Sequence, residues 1–368
     1  MLKFITLIFS KLKIVKNRNL PLIALLFFVG LWPLLGQQAA DAGGSAKVAP
    51  LFESEEPLPV RLRYSDRDMR KETNDSTYLM STMGYQKPDG TWDSLEIRAH
   101  ARGNWRRENC FLTPVMIKFK KKDVEGTVFE GQKEMKLVLP CRNNDLGQDY
   151  VIKEYMAYKL YEPISPFHFK TRRLAIEMTD DKGNKSKTYQ IEGFLIEDID
   201  EIADRFDANK MKRNVHPLQQ DDLTSVQNDF FQYLIGNTDF SSAYQHNEKL
   251  LFVKGRQAIP IPYDFDMCGL VNANYAVVSE IQGEVLKLNS VTERLFRGFK
   301  RDPALFEQVR QQYRDQRGEM MKRVEALKSS FRNEKQFEEA RNYVVSFFAV
   351  LDNPAKFQSE ILNKAREK

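Results

Sequence analysis

The chain has 368 residues, 42% of them hydrophobic and 29% charged, the profile of a folded protein long enough for one large domain or two lobes. Its net charge of +5 sits in the leader: residues 1–42 carry five basic side chains and one acid, leaving 51 basic against 50 acidic over the rest. A nearly neutral body excludes nucleic acid as the expected partner, since such a binder needs a basic excess or stripe.

In chain order, Lys3 to Arg18 form a basic segment, Leu20 to Leu35 an apolar run, and Ala40-Asp41-Ala42 a small-x-small site. This three-part plan is that of a secretory signal. The basic segment is long for a signal and carries its own apolar cluster, Phe4 to Phe9, so an uncleaved amino-terminal anchor is the alternative. Either outcome predicts an exported body, periplasmic or membrane-anchored, that meets the membrane only through residues 1–42. Residues 43–56 read as a linker. Alternating strand signals follow over Val60 to Tyr64, Tyr78 to Tyr85, Thr91 to Ala101, Thr113 to Lys120 and Met135 to Leu139, an apparent antiparallel sheet. Tyr150 to Tyr161 shows one apolar helical face, and Arg173 to Thr179 with Thr188 to Ile196 reads as another hairpin. From Asp221 onward helices dominate, among them Asp302-Pro303 as a capped start, Gln336 to Leu351, and Pro354 to Arg366. The expected fold class is α+β and two-lobed, strand-rich over 57–200 and helix-rich over 201–368. Cys110, Cys141 and Cys268 are too few for a disulfide framework and lack metal spacing. One bridge, Cys110 to Cys141, suits an oxidising compartment; buried free thiols are the other possibility.

Chemistry concentrates between Ile235 and Gly269. Asp239 stands 25 residues ahead of the pair Asp264 and Asp266, with Asn247 and a short apolar strand between them. Phosphoryl transfer uses this arrangement: one carboxylate orients the attacking hydroxyl, while an amide and a second carboxylate hold the magnesium on the nucleotide. Protein kinases order these parts as a catalytic-loop Asp and Asn, a hairpin, and an Asp-Phe-Gly turn. An Asp-x-Asp turn taken alone is ordinary turn chemistry.

The ordered string resembles the spore-coat-protein-H (CotH) family of atypical secreted kinases. The residues that carry it are Asn237-Thr238-Asp239, Asn247 and Pro262-Tyr263-Asp264-Phe265-Asp266, with Tyr263 where the family usually has Trp. Arg102-Gly103-Asn104, Arg106 and Ile117-Lys118-Phe119 resemble the family's phosphate loop and following strand. Gly193, Phe194, Leu195, Glu197 and Ile199 resemble its segment before the helical half. The family more often has Arg-Asn where this chain has Lys153-Glu154. The resemblance spans roughly residues 96–269 and implies a kinase-like fold, with a nucleotide-side lobe followed by a catalytic lobe.

It further implies ATP with Mg²⁺ or Mn²⁺ as cofactors. Asp239 would act on the acceptor hydroxyl, and Asp264, Asp266 and Asn247 would hold metal. Lys118, Arg102 and Arg106 would meet phosphate, Glu154 would pair with the lysine, and the backbone around Glu197 would hold adenine. The implied acceptor is a protein or other hydroxyl-bearing molecule of the cell envelope. Two alternatives stand beside this: a catalytically inactive envelope binding or scaffold protein on the same fold, and structural Ca²⁺ at Asp264 and Asp266.

Overall fold

A computed structural model describes residues 48–103, 105–281 and 284–367; the predicted leader and the start of the linker lie outside them. Period-two patterning sets the first half. Leu58–Tyr64 (β1) buries Val60, Leu62 and Tyr64 and turns Arg61 and Arg63 outward. Leu79–Gln86 (β2), Trp92–Ala101 (β3), Val115–Phe119 (β4) and Glu134–Val138 (β5) follow, each antiparallel to the one before. Thr171–Asp180 (β6) and Lys187–Ile196 (β7) form a long hairpin. β5 then pairs with β7, not β6, and β6 pairs with β1 in parallel, from Leu58 opposite Leu174 to Tyr64 opposite Asp180. The seven strands close in the order β1-β2-β3-β4-β5-β7-β6.

This closure overturns the expected two-lobed, kinase-like architecture. The strand-rich half is a closed mixed barrel, and a helical C-terminal region follows it. Each hairpin announces itself locally through a turn, whereas the β1–β6 pairing joins residues more than a hundred positions apart and leaves no local trace. The interior is filled by side chains such as Val60, Met83, Ile97, Ile117, Leu137 and Ile176.

Short helices Asp66–Glu72 (α1), Trp105–Asn109 (α2) and Lys121–Val124 (α3) lie in the barrel connections, and Asp145–Tyr161 (α4) precedes β6. Ile199–Arg205 (α5) leads to a three-stranded sheet of Ala208–Met211 (β8), Glu248–Val253 (β9) and Ala258–Pro262 (β10), into which Asp222–Ile235 (α6) is inserted in sequence. Pro303–Ala326 (α7), Glu334–Leu351 (α8) and Pro354–Glu360 (α9) complete the helical part. Among the described residues no helix is long and apolar enough to cross a membrane.

The second core is aromatic and surrounds α4 and α6. Phe230 packs against Phe296, Phe306, Tyr313 and Phe357, and Phe231 meets Phe265 edge-on at 5.2 Å. It also takes in Val138, Phe194 and Ile196 from the barrel wall, so it runs across the sequence boundary at residue 200. Tyr155 and Tyr158 of α4 both lie against Phe194. Each such ring contributes about 1.5–3 kcal/mol by burial, so α4 is fixed firmly between barrel and helices. A disulfide, Cys110 to Cys141, ties the end of α2 to the loop before α4, while Cys268 is a buried free thiol.

Candidate active site

Two local devices bring Asp239 and the Asp264-Phe265-Asp266 turn together. Gly236 ends α6 at φ 61°, a left-handed conformation that turns the chain sharply into Asn237-Thr238-Asp239. Gly269 N–H donates to the Gly236 carbonyl at 3.0 Å and Leu270 N–H to that of Ile235 at 2.9 Å, stitching the later segment beside the helix end. The β9–β10 hairpin does the rest. Its register sets Glu248 opposite Pro262, and Tyr263 N–H donates to the Asn247 carbonyl at 3.1 Å. Asp264 therefore emerges beside Asn247, and it occupies φ 65°, a conformation Asp tolerates better than most residues.

Asp239 is held from three sides. Asn247 Nδ2 donates to its Oδ2 at 3.1 Å and to its backbone carbonyl at 2.6 Å. Ser279 Oγ donates to Oδ1 at 3.1 Å, and His246 Nε2 lies 3.3 Å from the same oxygen. The hydrogen bond to Asp239 raises the His246 pKa, with burial opposing it. These partners hold the Asp239 carboxylate in one orientation.

The residues expected to meet phosphate come from the barrel and α4. After β3, Gly103 at φ 71° turns the chain and α2 presents Arg106 inward. Arg106 Nη1 lies 3.6 Å from Asp266 Oδ2 and 3.7 Å from Glu154 Oε2, while Nη2 donates to the Leu139 carbonyl at 3.0 Å. Burial works against the Arg106 charge, but Asp266, Tyr275, Glu154 and Asp264 outweigh it and hold the guanidinium protonated. Burial pushes the carboxyls of Glu154 and Asp266 upward; Arg106 opposes this and neighbouring carboxylates reinforce it. Asp264 behaves oppositely. Burial acts against its charge too, yet Arg102, Lys136, Arg106 and His246 together keep it below the usual carboxylate range. Its N–H donates to the Tyr158 hydroxyl at 3.0 Å.

The structure thus brings together seven of the expected residues: Arg102, Arg106, Glu154, Asp239, Asn247, Asp264 and Asp266. It separates two. Lys118 sits on the outward face of β4 with its Nζ 2.9 Å from Glu134 and its ammonium over the Tyr78 ring, paired with none of the site carboxylates. Glu197 is buried, accepting from Lys170 N–H at 2.6 Å and from both Arg205 Nη atoms at 3.1 and 2.9 Å, so it clamps β6 to α5. The lysine facing Asp264 is Lys136, on the neighbouring strand β5, stacked 4.0 Å above the Tyr263 ring. Burial, then Arg102 and Lys249, lower its pKa to about 7. The signal for it in the sequence is the outward phase it holds between Met135 and Leu137, the phase Lys118 holds on β4.

Two observations bear on a metal. Among the described residues, Asp266 Oδ2 and Glu154 Oε1 have no hydrogen-bond partner although buried, the state of oxygens that suit a further cation. Among the described residues no three carboxylate, histidine or cysteine side chains converge tightly enough to cage an ion by themselves. A magnesium ion held there would take one or two of these carboxylates and complete its shell with water and substrate phosphates.

No protein-family model matches the chain, and no curated protein matches it.

Proposed function

We propose that this protein is an exported phosphotransferase that moves the γ-phosphoryl group of ATP, bound with Mg²⁺ or Mn²⁺, to a hydroxyl acceptor, most naturally on a protein of the cell envelope. The reading rests on the site and not on fold, because fold does not specify chemistry. Its main support is one juxtaposition: a hydrogen-bonded carboxylate, Asp239, adjoins the Asp264–Asp266 turn, which faces Arg102, Arg106 and Lys136. Asp239 would orient and deprotonate the acceptor hydroxyl. Asp264 would be the chief metal ligand, with Asp266 assisting and Asn247 offering its side-chain carbonyl, since its amide is engaged by Asp239. Bound metal would neutralise charge on the phosphates. Arg102 and Arg106 suit phosphate oxygens through their planar donor forks, and Lys136 takes the part that the family resemblance gave Lys118.

A second reading is a catalytically inactive envelope binding protein. The ion pairs of Arg106 with both Asp266 and Glu154 favour it, because they occupy the groups that metal and phosphate would need.

Thermal melting of the full-length chain with ATP and Mg²⁺ or Mn²⁺ tests both. A ligand that binds only the folded state at a hundred times its Kd adds about 2.7 kcal/mol of stability. A metal-dependent rise of several degrees that disappears in Asp264→Asn is expected. Asp239→Asn should keep the rise and lose transfer by about 10²–10⁴-fold. A rise without turnover in the unaltered protein would select the binding reading, and no rise with any nucleotide or metal would sink the phosphotransferase.

A further inference from the structure

A polar cavity of about 540 Å³ lies beside α4, between the segment leading into β1, the β6–β7 hairpin and the α7–α8 connection. It is within the size range of small-molecule sites. Its lining holds four cations, Lys159, Arg173, Arg323 and Arg332, against two carboxylates from the folded body, Glu192 and Glu319. Two further carboxylates, Glu55 and Glu56, reach it from the segment before β1.

Glu55 is the one that engages. Lys159 Nζ donates to its Oε1 at 2.7 Å and to Glu162 Oε1 at 2.6 Å, Arg323 pairs with the same Glu162, and the Tyr155 hydroxyl donates to Glu55 Oε2 at 2.8 Å. The two donors are buried on α4, whereas the glutamate side chain is 66% exposed and enters from the solvent side. Burial opposes the Glu55 charge, but Lys159 and Tyr155 outweigh it and lower its pKa. Behind this contact Arg173 is more than nine-tenths buried; among the described residues its Nε has no partner and its only ion pair is a long one to Glu192 at 3.5 Å. Arg332 reaches the same glutamate at 3.7 Å. A buried guanidinium with one long ion pair beside a cavity is costly unless further acceptors reach its Nη groups.

We infer that this cavity is a binding site for a compact anion bearing carboxylate or phosphate groups, and that Glu55 is an intrachain stand-in for it. A ligand carboxylate or phosphate would take over the Lys159 and Tyr155 donors, and its second anionic group would accept from Arg173 and Arg332. The site is separate from the one assigned to phosphoryl transfer and does not depend on that assignment.

Calorimetric titration of the full-length chain with pyrophosphate and, separately, citrate tests it. A tethered competitor acts at an effective concentration of about millimolar, so Glu55→Gln should bind at least one probe about tenfold more tightly than the unaltered chain. Pyrophosphate alone would mark a phosphate ligand, citrate alone a carboxylate ligand, and both a site for either. Arg173→Gln placed on Glu55→Gln should abolish the gain. Arg332→Gln, at an exposed position that tolerates change, should weaken it several-fold and keeps the test decisive if the buried variant fails to fold. Equal binding with and without Glu55→Gln overturns the inference. So does a gain that survives Arg332→Gln but is lost in Arg102→Gln, which would place the anion beside the Asp264–Asp266 turn.

Discussion

Lys136 carries the chemistry most open to test at the scale of single residues. A lysine in water releases its proton near 10.5, and this one does so near 7 in the folded protein. Between those values the unfolded chain holds the extra proton, so the group makes the folded state more stable as pH rises through that window. A nucleotide phosphate set against Lys136 would restore its charge. Binding of ATP at about pH 8 should therefore take up close to one proton, read as a dependence of the binding enthalpy on the ionisation enthalpy of the buffer. Lys136→Met should lose that uptake; an unchanged uptake would place the phosphates elsewhere. The same residue shows what the sequence concealed. Asp239, Asn247, Asp264 and Asp266 were legible because their order along one hairpin fixes their meeting in space. Choosing between Lys118 and Lys136 was a different problem. Both occupy outward phases of adjacent strands, and only the pairing of Lys118 with Glu134 shows which one is already engaged. Glu197 poses a related problem: a conspicuous acid beside a strand end is as useful to a nearby arginine, here Arg205, as to a ligand.

At the scale of elements, the site depends on how α6 stops. A side-chain carbon added at Gly236 would run into the Tyr343 hydroxyl, and the residue would also be held at positive φ. Gly236→Ala should cost about 2–4 kcal/mol, combining backbone strain with overpacking, and should be measurable by urea denaturation. Because the same turn delivers Asp239, binding of acceptor should suffer more than binding of nucleotide. The hairpins and most helices were legible from turn residues, period and caps. Asp221 and Asp302 cap the helices they announced, through Thr224 and Ala304 N–H. The final helix is shorter than its polar, charged sequence suggested, ending at Glu360 before a short 3-10 turn.

At the scale of the whole molecule, the disulfide joins two connections of the barrel, the one between β3 and β4 and the one between β5 and α4. Its two cysteines are 31 residues apart, and the bond sets α2, with Arg106, against the loop that opens α4, with Glu154. Closing a loop of that length is worth about 3–4 kcal/mol by the chain-entropy relation. Reduction, or the double change Cys110→Ser with Cys141→Ser, should lower stability by about that amount and weaken nucleotide binding through Arg106. Loss of stability with undiminished binding would show that Arg106 holds its place without the bond. Barrel closure was not legible, since strand alternation reports which face is buried but not which distant edge a strand will find.

That closure also dictates an order of events as the chain is made. The strand that must wait is β1: its hairpin partner β2 follows at once, but its other edge stays open until β6 has been synthesised. An open edge invites pairing with another nascent chain. The composition of β1, Leu-Pro-Val-Arg-Leu-Arg-Tyr, answers that hazard. Pro59 removes one backbone donor from the strand, and Arg61 and Arg63 place repelling charge along it. Residues that look incidental in the finished barrel thus act as guards while it is still incomplete.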